Sequence, residues 1–217
     1  MQYPYLFFDL DGTLTNSMEG IVRSLEYAFD QMGRERPSRE FLQKFIGPPL
    51  TVSFHELMHF DDATTELAIA KYRERYLVKG LYENFPFDGM TDLLETVKNS
   101  GKILAVATSK PEHMAKAVTD HFDLTKYFMT VAGSCDESED KAAVIRKTCK
   151  RLGLPEHAPD GVLMIGDRKH DIIGAHQCGI PCCGVRFGFA PDGEFEEYGA
   201  DYIVDTVDDL KNFLLTI

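Results

Sequence analysis

Short unbroken apolar runs recur along the chain: Tyr5-Leu6-Phe7-Phe8, Ile103-Leu104-Ala105-Val106-Ala107, Met129-Thr130-Val131-Ala132, Val162-Leu163-Met164-Ile165, and the stretch 180–185. A strand without polar alternation is one buried on both faces, as in a parallel sheet covered by helices. Between the later runs the pattern becomes helical, predicting helices around 90–99, 111–122, 141–152 and 171–178. Strands alternating with helices predict a parallel sheet with right-handed crossovers, the doubly wound α/β class.

The interval between the first two runs departs from this rhythm. From about 18 to 85 it contains no convincing strand, and apolar residues fall at helical spacing, as in Ile21-Val22-x-x-Leu25-x-x-Ala28-Phe29 and over 63–78. Ser38, within Pro37-Ser38-Arg39-Glu40, predicts a helix cap, and Gly47-Pro48-Pro49 predicts a break between helices. So much helix is too long for one crossover. The expected organisation is a core domain of residues 1–15 and 86–217 with a helical cap domain, 16–85, inserted into it.

Composition changes the picture only in places. The 217 residues are 44% hydrophobic and 27% charged, enough for a proper core without disulfides. The five cysteines are odd in number and irregularly spaced, predicting reduced, partly buried thiols. His176, Cys178, Cys182 and Cys183 sketch a soft-metal site, but no Cys-x-x-Cys pair supports it. A net charge of −12 argues against a nucleic acid polymer as partner. The same field opposes any phosphorylated substrate, so such a substrate needs local positive charge from a metal ion and placed cations. The residues before Asp9 lack the basic start of a signal peptide, and no run approaches the ~18 apolar residues of a membrane span. The expectation is a soluble, cytoplasmic protein with no membrane partner.

Four places put polar residues just past a strand end, where open parallel sheets bind ligands. The first is Asp9-Leu10-Asp11-Gly12-Thr13, two aspartates leaving an apolar strand into a glycine turn. One carboxylate can attack a substrate while the other trades protons, and both can approach a metal. A calcium loop starts similarly but needs more oxygen ligands and flanking helices. The second is Thr108-Ser109-Lys110-Pro111, a hydroxyl followed by free N–H groups at a helix start, either an anion cradle or a simple cap. The third is Lys141, a cation at a helix start where the dipole favours acids. The fourth is Gly166-Asp167-Arg168-Lys169-His170-Asp171, whose two carboxylates suit magnesium.

Taken in order, these motifs closely resemble those of the haloacid dehalogenase superfamily of phosphohydrolases, over the whole chain including the helical cap. The tail Gly184-Val185-Arg186-Phe187-Gly188-Phe189 with Gly199-Ala200-Asp201 is similar to the phosphoglycolate phosphatase-like branch. The resemblance implies a Mg²⁺-dependent phosphatase acting on a small phosphorylated metabolite, phosphoglycolate-like or a nucleoside monophosphate. It implies that Asp9 attacks phosphorus to form an aspartyl phosphate and that Asp11 is the acid and base. An aspartate at that position argues against the dehalogenase members. Thr108, the Ser109 backbone N–H and Lys141 would hold the phosphoryl group, and Asp9, the Asp11 carbonyl, Asp167 and Asp171 would hold the metal. A monomer or weak homodimer is expected. A phosphomutase of the β-phosphoglucomutase type shares core and cap, and a non-catalytic magnesium- or phosphate-binding module would lack a chemical need for Asp11.

Two further sets concern the cap. His55-Glu56-Leu57-Met58-His59 matches the His-Glu-x-x-His zinc protease pattern, without a clear third ligand. The Ile46-Gly47-Pro48-Pro49-Leu50 loop, Arg23 and Arg73 are candidate substrate contacts, and the loop 15–20 a candidate hinge.

Overall fold

The computed structural model describes residues 2–135 and 139–217, so that Met1, at the start of the expected core, lies outside it. The chain runs β1 (Tyr5–Phe8), β2 (Thr15–Asn16), α1 (Met18–Gln31), α2 (Arg39–Leu42), α3 (Leu50–Met58), α4 (Asp62–Tyr76), β3 (Phe85–Pro86), α5 (Met90–Asn99) and β4 (Ile103–Pro111). It continues α6 (Glu112–His121), β5 (Thr130–Ser134), α7 (Lys141–Arg151), β6 (Val162–Gly166), α8 (Lys169–Gln177), β7 (Cys182–Val185), α9 (Glu194–Tyr198), β8 (Tyr202–Val204) and α10 (Val207–Thr216).

Six strands form one sheet in the order β5-β4-β1-β6-β7-β8, with every neighbouring pair parallel. This is the doubly wound α/β class expected from the apolar runs. Side chains alternate between faces: Leu6 and Phe8 pack with Val106, Ile165 and the apolar sides of α5, α6 and α10. Phe7 packs with Ala105, Met164, Val144 and Ile172 on the other face. Both faces are dry, which is why the strands read as unbroken apolar runs.

Register decides where the chemistry sits. Phe8 pairs with Val106 on one side and Ile165 on the other. Asp9 therefore leaves the central strand level with Ala107 and Gly166, with Thr108 and Asp167 one residue beyond. β4 runs further than its apolar core, reaching Pro111 through a register irregularity after Ala107. Residues 108–110, read from the sequence as a strand end leading into the free N–H groups of a helix start, are still strand, with an irregularity of the kind that re-aims side chains at a sheet end.

Residues 18–82 carry α1 to α4 and no strand. The segment joins the sheet through β2 and β3, which pair antiparallel with Thr15 opposite Pro86. Ser38 caps α2 by accepting from the Phe41 N–H, and Asp61 caps α4 by accepting from Thr64. A cluster of Phe29, Phe45, Phe54 and Phe60 fills the centre of these helices. Among the described residues no helix is long and apolar enough to cross a membrane.

Candidate active site

The ends of β1, β4 and β6 meet the start of α7 at one buried charge cluster. Lys141, the first residue of α7, has its Nζ 2.8 Å from Asp9 Oδ1, 2.8 Å from Asp171 Oδ1 and 3.1 Å from the Ala107 carbonyl. This explains a cation at a helix N-terminus: the helix dipole there is opposed by two carboxylates, and Asp140 supplies the cap by accepting from Ala143. Burial alone would lower the Lys141 pKa, but Asp171 and Asp9 outweigh it and raise it.

Asp167 lies beside this pair and, among the described residues, forms no ion pair. Its Oδ2 accepts from the Phe189 N–H at 2.9 Å, and Thr13 donates to Oδ1 at 3.5 Å. Burial, then the charges of Asp171 and Asp9, raise its pKa well above the usual carboxylate range. Asp9 is pushed up to about 6 by burial, against the opposing pull of Lys141, with Asp171 adding to the rise. One lysine cannot neutralise three buried carboxylates, and a structure with all three ionised calls for another cation.

One carboxylate oxygen from each of Asp9, Asp167 and Asp171 lies within 4.8 Å of the others. A cluster of hard oxygen donors, buried and under-neutralised, fits a small divalent cation. Backbone approach is tight here. A Cβ on Gly12, whose φ is +83°, would lie 2.1 Å from Asp167 Oδ2, and one on Gly166 would lie 2.1 Å from Asp171 Cγ. Only glycine lets the chain press against these carboxylates. The Asp11–Gly12 turn thus lies against Asp167, while the Asp11 side chain points elsewhere.

Asp11 faces a pocket of about 100 Å³ that it shares with Asp9, Thr108, Ser109 and the cap residues Tyr72 and Arg73. Its Oδ2 takes an ion pair from Lys110 Nζ at 2.8 Å, and its Oδ1 has no hydrogen-bond partner among the described residues. Lys110 also donates to the Tyr76 hydroxyl of α4. Neither Lys110 nor Tyr76 was singled out by the sequence as a site residue. In the sequence Lys110 reads only as part of the Thr108-Ser109-Lys110-Pro111 segment, without a role of its own, and Tyr76 only within the helical pattern over 63–78; in the structure both are buried.

All six core residues expected from the motifs, Asp9, Asp11, Thr108, Lys141, Asp167 and Asp171, therefore converge at one sheet end. Ser109 lines the same pocket. The Gly47-Pro48-Pro49-Leu50 loop and Arg73 line it too. Arg23 does not. It pairs with Glu19 and Glu83 on the cap surface, because its position on α1 faces outward. The His55–His59 pattern is also not a metal site among the described residues. His59 ends α3 in the left-handed conformation, φ 53°, which breaks the helical face the pattern requires, and His55 lies 3.4 Å from Asp62. The soft-metal group does not assemble either: His176 meets Asp201 at 3.0 Å, while Cys178, Cys182 and Cys183 are buried as free thiols. Burial holds the Cys182 thiol well above its usual range and pushes Cys183 up to about 12, keeping both protonated.

Residues 6–185 match the family model described as haloacid dehalogenase-like hydrolase. The chain belongs to this family. It is 42% identical over 200 residues to a 5'-nucleotidase of Pseudomonas aeruginosa, covering 91% of this chain and 89% of that one. It is 31% identical over 211 residues to a protein of Mycobacterium tuberculosis named tyrosine-protein kinase PtkA, covering 96% of this chain and 72% of the relative. The crystal structure of a predicted phosphatase from Clostridium acetobutylicum superposes with a TM-score of 0.93 at 40% identity, with all of both chains covered.

Proposed function

We propose that the protein is a magnesium-dependent phosphatase of small phosphate monoesters, acting through an aspartyl phosphate on Asp9, with nucleoside monophosphates as the preferred class. The observation that carries the chemistry is the division of labour between two neighbouring carboxylates. Asp9 is anchored by Lys141 beside the Asp167–Asp171 pair, whereas Asp11 faces the pocket from a separate tether.

In the first step the Asp9 carboxylate oxygen bonds to phosphorus as the bond from phosphorus to the leaving oxygen breaks. The Asp11 carboxyl passes its proton to that oxygen. In the second, Asp11, now ionised, takes a proton from water; the water oxygen bonds to phosphorus and the Asp9–phosphorus bond breaks. Lys141 offsets charge on Asp9 and on the phosphoryl oxygens, and Thr108 stands beside Asp9 to donate to one of them. Asp9, Asp167 and Asp171, with the Asp11 carbonyl, would hold Mg²⁺, which supplies the positive charge that transfer of a phosphoryl dianion requires. The helical segment 16–85 acts as a cap that excludes surplus water.

The substrate class rests on room as well as on the 5'-nucleotidase relative. The pocket at the carboxylates is just large enough for a phosphoryl group and its immediate linkage. It adjoins a cleft of about 740 Å³ between α4 and the start of α6, and Arg73, Pro111 and Met114 line both. A nucleoside can extend into that cleft, and glycolate leaves it unused. The test is phosphate release from nucleoside monophosphates, phosphoglycolate and pyrophosphate with Mg²⁺ present, ranked by kcat/KM. Nucleoside monophosphates should lead by at least about tenfold, the discrimination of one well-filled apolar contact. A lead by phosphoglycolate overturns the substrate class, and no chelator-sensitive release from any of them overturns the phosphatase reading.

A further inference from the structure

The proton-transfer carboxylate is held by a two-residue tether that crosses from core to cap. Lys110 Nζ is 2.8 Å from Asp11 Oδ2 and also donates to the Tyr76 hydroxyl. Both donor and acceptor are buried, Lys110 at 8% exposure and Tyr76 at 3%. Tyr76 is itself fixed by stacking on Tyr72, with ring centroids 4.8 Å apart. The tether occupies one oxygen of Asp11 and leaves Oδ1 buried without a hydrogen-bond partner among the described residues. A buried carboxylate oxygen with no donor is costly unless something else is meant to meet it.

We infer that Lys110 and Tyr76 are positioning residues: they clamp Asp11 Oδ2 so that Oδ1 is presented to the leaving oxygen, which makes proton transfer depend on the docked cap. The inference rests on the acid–base reading of Asp11. Neither residue needs to touch the substrate. The ammonium fixes the rotation of the carboxylate, and Tyr76 fixes the ammonium from α4. A general acid misplaced by about an ångström loses on the order of a hundredfold in rate, so a pair of hydrogen bonds is sufficient to matter.

The sensitive readout is the dependence of kcat/KM on the leaving group, because this constant covers the chemistry only up to departure of the alcohol. Para-nitrophenol leaves with little help from an acid, and phenol needs a proton. With para-nitrophenyl phosphate and phenyl phosphate as probes in the presence of Mg²⁺, Tyr76→Phe keeps the ring and stacking but removes the hydroxyl. It should lower kcat/KM for phenyl phosphate by roughly tenfold, and Lys110→Met by roughly a hundredfold. Losses on para-nitrophenyl phosphate should be at least about fivefold smaller, and Lys110→Arg should recover part of the deficit. The double variant should be no worse than Lys110→Met alone, since both act through one tether. Inhibition by inorganic phosphate should stay unchanged in all of them.

Equal losses on both esters, or additive losses, overturn the inference. So does a large rise in the inhibition constant of inorganic phosphate, which would make Lys110 a substrate-binding cation. Wild-type kinetics for Tyr76→Phe and Lys110→Met would overturn it as well. Asp11→Asn separates the two levels. If it retains activity on phenyl phosphate, the acid–base reading itself fails; if it is inactive while the tether variants are normal, only the positioning role fails.

Discussion

Arg168, the residue that follows Asp167, donates through Nη1 to the backbone carbonyl of Ile46, 122 positions earlier in the chain. Its Nε lies 3.1 Å from Glu194, and the guanidinium and carboxylate are both buried. The segment that carries Asp167 and Asp171 is thereby fastened to the Ile46-Gly47-Pro48 loop of the helical insert. Arg168→Met leaves Glu194 buried without its cation, which typically costs about 3–5 kcal/mol. Urea unfolding should show a loss of that size, and adding Glu194→Gln should restore most of it. A single variant as stable as wild type would mean that the pair contributes nothing to the fold.

Asp9→Asn replaces the carboxylate proposed as the nucleophile by a neutral amide of the same shape. Turnover should fall by at least about a thousandfold, as expected when a covalent nucleophile is lost. Circular dichroism should be unchanged. Activity above about a tenth of wild type contradicts the nucleophile role.

The raised carboxylates predict the sign of a pH effect. A carboxylate whose folded pKa exceeds its unfolded value binds more protons when folded, so stability falls as pH rises between the two values. For Asp9 that window runs from its ordinary 3.8 to about 6, and Asp167 shifts in the same direction. The metal-free protein should therefore lose stability over this range from these two groups. A divalent cation binds the ionised forms, so the thermal shift produced by saturating Mg²⁺ should be larger at pH 8 than at pH 5. Differential scanning calorimetry at the two pH values checks this, and an equal or reversed shift refutes it.

Asp167→Asn tests the same electrostatics without metal. Replacing one of three crowded carboxylates by a neutral isostere relieves repulsion. It should raise the melting temperature of the chelator-treated protein at pH 8 by a few degrees, equivalent to about 1 kcal/mol. The same variant should abolish the Mg²⁺-induced thermal shift.

Gly12→Ala probes the close approach of the first motif to Asp167. A β-carbon at φ +83° is strained, and it would sit 2.1 Å from Asp167 Oδ2. The carboxylate must move. Mg²⁺ affinity, read by titration calorimetry, should drop by more than about tenfold, the effect of disturbing ligand geometry. An unchanged affinity would show that Asp167 has slack.

The sheet and its class were legible along the chain because burial on both faces leaves a local signature. Phe7 and Phe8 point to opposite faces, yet both meet dry helices, so neither could be polar. The same locality made Asp9, Thr108 and Asp167 readable as strand-end residues, and parallel register then brings them level without further instruction. Lys141 was legible as an anomaly, a cation at the wrong end of a helix dipole. Its second partner, Asp171, was not, because one ammonium can reach two carboxylates only through the packing of α7 against α8. The tertiary structure alone decided the Lys110–Asp11–Tyr76 tether, the Arg168–Ile46 contact and the outward turn of Arg23. Each depends on where a long flexible side chain points and what lies there, and residue order carries no periodic trace of that.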